Sequence, residues 1–159
     1  MRKGILGLAL TFLCLCLLIS CSEDGYGHAE LVIPLPDTYE AFETESFDAA
    51  YTDGKSTAAI LRISFEAAYK SGIPDSFMPD EFAAFYMNEV DIDCQISDGG
   101  DFAYCEYTVE QKGIEYSYLA SFFRSKYAYF IVVFTTDSVS YQNEKSAFLE
   151  YADGVAFLK

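Results

Sequence analysis

The sequence predicts an α+β fold in which an antiparallel β-sheet carries helices on both faces. Four apolar or alternating segments between residues 90 and 136 are separated by polar or Gly-containing turns, which is typical of an antiparallel meander. The last segment is apolar on both sides, so both faces of the sheet must be covered. Two amphipathic segments, residues 79–89 and 141–153, supply the helices.

The chain before the first helix is predicted to be extended or looped. Residues 29–33 form a short apolar segment. A turn signal at residues 53–55 (Asp-Gly-Lys) separates residues 47–51 from residues 57–65, which predicts a β-hairpin. Residues 69–78, which contain Gly and Pro, predict a loop.

Both helices have recognisable ends. Pro79 suits the first turn of the first helix, where two acidic residues follow it and favour the helix dipole. The second helix has Asp137 and the serines after it as N-caps, and Gly154 ends it before a short apolar tail.

The meander begins with a predicted half-buried strand over residues 90–97, whose apolar side chains alternate with polar ones. Segments 102–110, 114–123 and 127–136 continue it. Centring the first hairpin on Gly99-Gly100 and the second on Lys112-Gly113 brings three pairs to one face. These pairs are Cys94 with Cys105, Tyr107 with Tyr118, and Val109 with Tyr116.

The first 21 residues have the layout of an export signal. Arg2 and Lys3 precede a 15-residue apolar run that ends at Ser20-Cys21, and a polar segment follows. The run is shorter than the ~20 residues of a membrane-spanning helix. The pattern resembles the lipobox of bacterial lipoproteins, in which a small residue precedes a Cys that is acylated and becomes the new N-terminus.

This resemblance implies that Cys21 carries a diacyl or triacyl anchor and that residues 1–20 are a removed signal peptide. Residues 21–28 are then the lipidated Cys and a short tether, and residues 29–159 one domain. The protein would be exported and held by its lipid on the extracytoplasmic face of a bacterial membrane. The alternative is an ordinary cleaved signal peptide with a chance Cys.

The charge of the chain excludes one class of partner. The full chain has a net charge of −15, and removal of residues 1–20 leaves 8 basic against 25 acidic side chains, a net side-chain charge of −17. Nucleic acid is excluded, because its phosphates need a Lys/Arg surface. The charge favours either a basic envelope protein as partner or a solvated surface without a partner. Anionic lipid head groups would repel the acidic domain, apart from its anchor.

The order of elements resembles the PsbP-like superfamily, which includes DcrB-type lipoproteins. The resemblance rests on the phrase Ile33-Pro34-Leu35-Pro36-Asp37, the hairpin, the helix, the meander ending in residues 129–134 (YFIVVF), and the closing helix. It implies an α/β/α sandwich and a small adaptor or stabilising protein. It implies no catalytic motif and no cofactor.

Cys94 and Cys105 are the two cysteines left in the mature chain once Cys21 is lipidated. An exported compartment permits a disulfide, and opposed residues on neighbouring strands are within its reach, so a Cys94–Cys105 bond is predicted. The alternative is a pair of buried free thiols.

Metal and catalytic sites have little support in the sequence. Asp91, Asp93, Asp98 and Asp101 are weak candidate oxygen ligands for Ca²⁺, because outward acids on an exposed strand are ordinarily a solvated face and their spacing matches no known calcium loop. The sole histidine, His28, falls in the tether, so neither a His-based triad nor a zinc site is expected.

We therefore expect a non-catalytic binding or stabilising module of the cell envelope. Two alternatives remain open: a lipoprotein that binds a cation or small solute, and an acid/base hydrolase that uses paired carboxylates. Phe77 and Met78 form either a partner-binding loop or a hydrophobic staple for the following helix.

Overall fold

The computed structural model describes residues 30–158. Its helices are α1 (Phe65–Lys70), α2 (Pro79–Glu89) and α3 (Ser138–Asp153). Its strands are β1 (Glu30–Val32), β2 (Glu40–Ala41), β3 (Ala49–Thr52), β4 (Thr57–Ser64), β5 (Ser97–Asp98), β6 (Ala103–Gln111), β7 (Ile114–Arg124), β8 (Ala128–Asp137) and β9 (Ala156–Leu158).

Seven of these strands form one antiparallel sheet in the order β2-β3-β4-β8-β7-β6-β5. Helices α1 and α2 pack on one face, and α3 packs on the other. The remaining strands, β1 and β9, pair with each other in a two-stranded ribbon on the α3 side. The predicted α+β fold, an antiparallel sheet with helices on both faces, is therefore confirmed.

Strand β8 lies in the middle of the core, as its apolar sequence predicts. Tyr129, Ile131 and Val133 belong to the cluster under α1 and α2. The side chains between them, Phe130 and Val132 among them, belong to the cluster under α3. A strand with neighbours on both edges and helices on both faces has no polar position to offer, which is why its sequence is continuously apolar.

The predicted cap at Asp137 is confirmed, although α3 begins at Ser138, three residues before its predicted start, and one short helix was not predicted. The backbone N–H of Met78 donates to Glu81 Oε2 at 2.8 Å, and the N–H of Ser140 donates to the Asp137 carboxylate at 2.9 Å. Helix α1 replaces the predicted end of a strand and start of a loop. Ser64 caps it by accepting from the N–H of Ala67 at 3.2 Å.

The meander is confirmed, with one register correct and one wrong. Tyr107 lies opposite Tyr118 and Val109 opposite Tyr116, as predicted. In the first hairpin Ser97 lies opposite Tyr104, so Cys94 is not the cross-strand partner of Cys105. The turn there is centred one residue later than predicted, on Gly100-Asp101, because the N–H of Gly99 bonds to the carbonyl of Phe102.

The predicted strand over residues 90–97 is also wrong over most of its length. Only Ser97 and Asp98 pair with β6, while the segment before them packs its alternate apolar side chains against the cluster under α2. An alternation of apolar and polar residues occurs both in a paired strand and in an unpaired extended segment that packs on the core, so it does not distinguish the two. Asp91, with φ of 57°, turns the chain as it leaves α2.

Candidate functional site

The outer edge of β6 is open over most of its length. Strand β5 pairs with β6 only at Ala103 and Tyr104, and β5 is the last strand of the sheet on that side. From Cys105 to Gln111, β6 therefore has a neighbour on one side alone in the described part of the chain. We call residues 105–111 the β6 edge.

The β6–β7 turn determines which backbone groups point outward. Lys112 and Gly113 have φ values of 53° and 78°, as a two-residue type I′ turn requires. The flanking pair, Gln111 and Ile114, is hydrogen-bonded in such a turn, and hydrogen-bonded and non-hydrogen-bonded pairs alternate from there. Three residues consequently direct their N–H and C=O groups away from β7 and make no backbone hydrogen bond within residues 30–158: Glu106, Thr108 and Glu110.

The side of the β6 edge that faces α3 is acidic. Glu110 lies directly opposite Glu115, and both are exposed. Like charges in that arrangement destabilise a sheet. Two side chains of α3 fix Glu106, whose carboxylate accepts from the Tyr141 hydroxyl at 2.8 Å and from Lys145 Nζ at 2.7 Å. Burial, followed by the Glu106 carboxylate, raises the pKa of Tyr141, which keeps the hydroxyl protonated as a donor.

The other side of the β6 edge is aromatic and apolar. The Tyr107 ring stacks on Tyr118 with centroids 4.9 Å apart and planes 2° apart, and Val109 lies beside Tyr116 on the same face. Burial raises the pKa of Tyr107 well above its ordinary value. Its hydroxyl is buried and has no hydrogen-bond partner among the residues that the structure describes.

The two predicted disulfide residues are close together despite the wrong register. Cys94 and Cys105 are free thiols with a hydrogen bond between their side chains. Burial, followed by that hydrogen bond, raises the pKa of the Cys105 thiol, so it is a poor nucleophile. The disulfide itself stays a prediction.

The four candidate calcium ligands do not converge. All four side chains, Asp91, Asp93, Asp98 and Asp101, are exposed. Asp98 accepts from the N–H of Gly100 at 2.8 Å and so serves the turn. Within residues 30–158 no three His, Cys, Asp or Glu side chains are grouped to hold a metal ion.

The two apolar residues of the loop before α2 differ in exposure. Phe77 is half-buried and its ring centroid lies 6.3 Å from that of Phe85, whereas a hydrophobic staple would join it to Phe82. Met78 is 58% exposed. The backbone of this loop is fixed from the sheet, because the Tyr129 hydroxyl donates to the carbonyl of Pro74 at 2.6 Å.

The remaining predicted residues, Cys21 in the lipobox and His28 in the tether, lie outside the described range. The predicted signal peptide lies there too.

No helix within residues 30–158 is both long enough and apolar enough to cross a membrane.

No family model and no curated protein matches this sequence. Solved structures do resemble its fold. A protein of Bacteroides thetaiotaomicron gives a TM-score of 0.58 at 14% identity, over 81% of this chain and 45% of that protein. The present chain thus spans less than half the length of that relative.

LpqN of Mycobacterium tuberculosis, described as involved in cell envelope biogenesis, gives a TM-score of 0.50 at 12% identity, over 84% of this chain and 86% of LpqN. Cyanobacterial PsbP of Synechocystis gives a TM-score of 0.43 at 11% identity, over 87% of this chain and 98% of that protein. At such identities these similarities concern the fold alone. The more specific assignment to the PsbP-like superfamily stays a prediction.

The β6 edge was not predicted from the sequence, because the strand expected at residues 90–97 would have covered it. Two local signals were present. Asp91 follows a helix directly, in a position where Asp often adopts a positive φ and turns the chain. The two-residue turn at Lys112-Gly113 makes Glu110 and Glu115 neighbours, an unfavourable pair that marks this face as unusual.

Proposed function

We propose that the protein is a lipid-anchored, non-catalytic binding module of the bacterial envelope. It is held to the membrane through Cys21 and captures an extended, basic segment of another envelope protein along the β6 edge. The anchor rests on the lipobox-like sequence around Cys21. The envelope setting is supported by the fold that it shares with LpqN, which is involved in cell envelope biogenesis.

The observation that carries the proposal is the row of outward backbone groups on the β6 edge. Glu106, Thr108 and Glu110 present N–H and C=O groups that no backbone group of residues 30–158 pairs, at alternate positions, the arrangement to which an added strand hydrogen-bonds. Such a strand would continue the sheet beyond β6. Main-chain hydrogen bonds would provide affinity, and the side chains on the two faces would select the sequence.

The chemistry of the two faces defines the captured segment. Directly opposed residues of an antiparallel pair share a face. Glu106 is already paired with Lys145, so the residue of the partner opposite Glu110 would be Lys or Arg, which would also relieve the repulsion between Glu110 and Glu115. Residues opposite Tyr107 and Val109 would be apolar or aromatic. The segment thus combines a basic residue with apolar ones, in agreement with the charge of −17 on the mature chain.

Replacing Thr108 by proline tests the proposal. Proline removes an outward N–H and places its ring at the open edge, a position where strands tolerate it. We expect capture of the partner from cross-linked membranes to fall roughly tenfold or more, because a net hydrogen bond is worth about 0.5–1.5 kcal/mol and the ring also separates the strands. Thr108→Ala is the matched control, since it keeps the N–H, and its capture should equal that of the wild type.

A charge reversal provides a second, independent variant. Glu110→Lys should weaken capture and, because it replaces a like-charge pair by an opposite pair, should raise the unfolding midpoint. Opposite effects on binding and stability distinguish a lost contact from a damaged fold. Undiminished capture by folded Thr108→Pro and Glu110→Lys proteins would overturn the proposal.

A further inference from the structure

We propose that one end of the sheet, the end at the β7–β8 turn, lies against the surface of the lipid bilayer as a second membrane contact. We call it the β7–β8 end and define it by residues 124–128. The inference rests on the proposed anchoring through Cys21. It adds an orientation and an apolar contact to an anchor that by itself would leave the domain free to tumble.

The position of the tether is the first reason. Glu30 begins β1, only nine residues after Cys21. Nine residues reach about 30 Å when fully extended and about 15–18 Å as a flexible coil. The first residues of β1 therefore cannot be far from the acyl chains, and whichever end of the sheet carries β1 must be close to the membrane.

Ring contacts place β1 at the β7–β8 end. Strand β1 pairs with β9, and Phe157 of β9 packs on Phe130 at 5.4 Å and on Phe123 at 6.5 Å. Phe123 and Phe130 are a cross-strand pair close to the β7–β8 turn. The ribbon thus lies on the α3 face of the sheet, at the end that includes residues 124–128.

The distribution of exposed apolar side chains is the second and independent reason. Eight large apolar residues are exposed in the described chain, and six of them belong to the ribbon or to segments at the β7–β8 end: Val32, Tyr69, Met78, Tyr127, Phe157 and Leu158. Two hydrogen bonds place α1 and the loop before α2 at this end. The N–H of Phe65, at the start of α1, donates to the carbonyl of Tyr127. The Arg124 side chain donates to the carbonyl of Asp75 in the loop at 2.8 Å. The other two, Ile114 and Val139, lie near the opposite end.

The outer face of the ribbon carries apolar side chains from both strands. Leu31 is buried and the partly exposed Phe157 opposite it packs on Phe130, so the residues beside them belong to the outer face. These residues are Val32, Ala156 and Leu158, all exposed, together with Glu30 at its edge, and Leu158 is 51% exposed. No described element covers them, and the short tether brings a bilayer within their reach.

The charges at this end also suit a bilayer interface. Lys126 lies over the Tyr127 ring at 5.1 Å, and Arg124 lies over Phe65 at 5.3 Å. Glu66 is neutralised by Lys70 at 2.7 Å. Tyrosines together with lysine and arginine at the head-group level are typical of membrane interfaces. This end also carries exposed acidic side chains, Asp75 and Asp101 among them, so the contact that it suits is with zwitterionic head groups.

The orientation has a consequence for the β6 edge. Strand β7 has 11 residues and rises about 3.4 Å per residue, so its two ends are about 34 Å apart. With the β7–β8 end on the bilayer, Glu110 and Glu115 at the far end of the β6–β7 hairpin are held away from anionic head groups and exposed to a partner.

The absence of tryptophan from the sequence permits a direct test. In Leu158→Trp the sole indole reports on the ribbon. In Val139→Trp, the control, it reports on a site that is 91% exposed in the wild type and lies at the far end of α3, about 21 Å along the helix from Asp153. Both variants would be prepared as mature lipidated protein and reconstituted in phosphatidylcholine vesicles with or without bromine-labelled acyl chains.

We expect the Leu158→Trp indole to show blue-shifted emission and quenching by the brominated lipid, and the Val139→Trp indole to show neither. Equal quenching of both indoles, or quenching of neither in protein shown to carry the acyl group, would overturn the orientation while leaving the anchor intact. Failure of Cys21 to incorporate an acyl group would overturn the anchor, and the orientation with it. Tyr127→Trp provides a second reporter at the same end, with the result expected for Leu158→Trp.

Discussion

Replacing Phe82 by alanine is expected to lower the free energy of unfolding by about 3–5 kcal/mol. Phe82 is fully buried and connects α2 to the sheet. Its ring stacks on Tyr129 at 4.2 Å and meets Phe122 edge-on at 5.9 Å. Truncation would remove both ring contacts and leave a cavity between α2 and the sheet. Helix α2 cannot move in to fill this cavity, because the central strand β8 is fixed on both edges.

Urea denaturation followed by circular dichroism would measure this loss. Phe85→Ala is the matched control, because Phe85 lies on the same helix but is only half-buried and contacts Phe77 at 6.3 Å. We expect its cost to be clearly smaller. Equal costs for the two substitutions would show that α2 does not pack as described.

Replacing Cys21 by alanine is expected to abolish acylation completely. A thioether-linked lipid needs the Cys sulfur, and no other residue can replace it. Two or three acyl chains, at about 0.8 kcal/mol per buried CH₂, hold a protein on a membrane stably. Metabolic labelling with a radioactive fatty acid, read on the immunoprecipitated protein, would measure the loss.

Cys14→Ala and Cys16→Ala are the matched controls, since they change the same residue type within the same apolar run. Both should retain the label of the wild type, because the predicted signal peptide is discarded with them. Label that persists in Cys21→Ala would contradict the anchor.

The parts of the fold that could be predicted from the sequence are those with local causes. The Lys112-Gly113 turn fixed the pairing of Tyr107 with Tyr118, because a two-residue turn leaves one register. The caps of α2 and α3 were visible as Pro79 and Asp137. The continuous apolar sequence of β8 required cover on both faces, and the structure has it.

The parts that could not be predicted depend on contacts between distant segments. The pairing of β4 with β8, and that of β1 with β9, join residues far apart in the chain, and no turn links them. Helix α1 is only six residues long, so it has no periodicity to detect. Its signals were the Ser64 cap and the Glu66–Lys70 pair.

The predicted register of the first hairpin of the meander was wrong for a more specific reason. Two adjacent glycines suggested a turn centred on them, but Gly99 is the residue before the turn. A Cβ there would lie 2.5 Å from the Phe102 ring, so the glycine makes room for that ring. The turn is centred on Gly100-Asp101, which shifts the register, and the pairing ends at Ser97. The open β6 edge is the result.

The measurement that tests the central proposal most directly is amide hydrogen exchange at Thr108, resolved by NMR. In the free protein we expect the Thr108 amide to exchange rapidly, while the amides of Tyr107 and Val109, bonded to β7, are protected. In the complex with the captured partner the Thr108 amide should become protected as well. An amide that exchanges equally fast in both states would contradict capture along the β6 edge, and protection already present in the free protein would contradict the open edge itself.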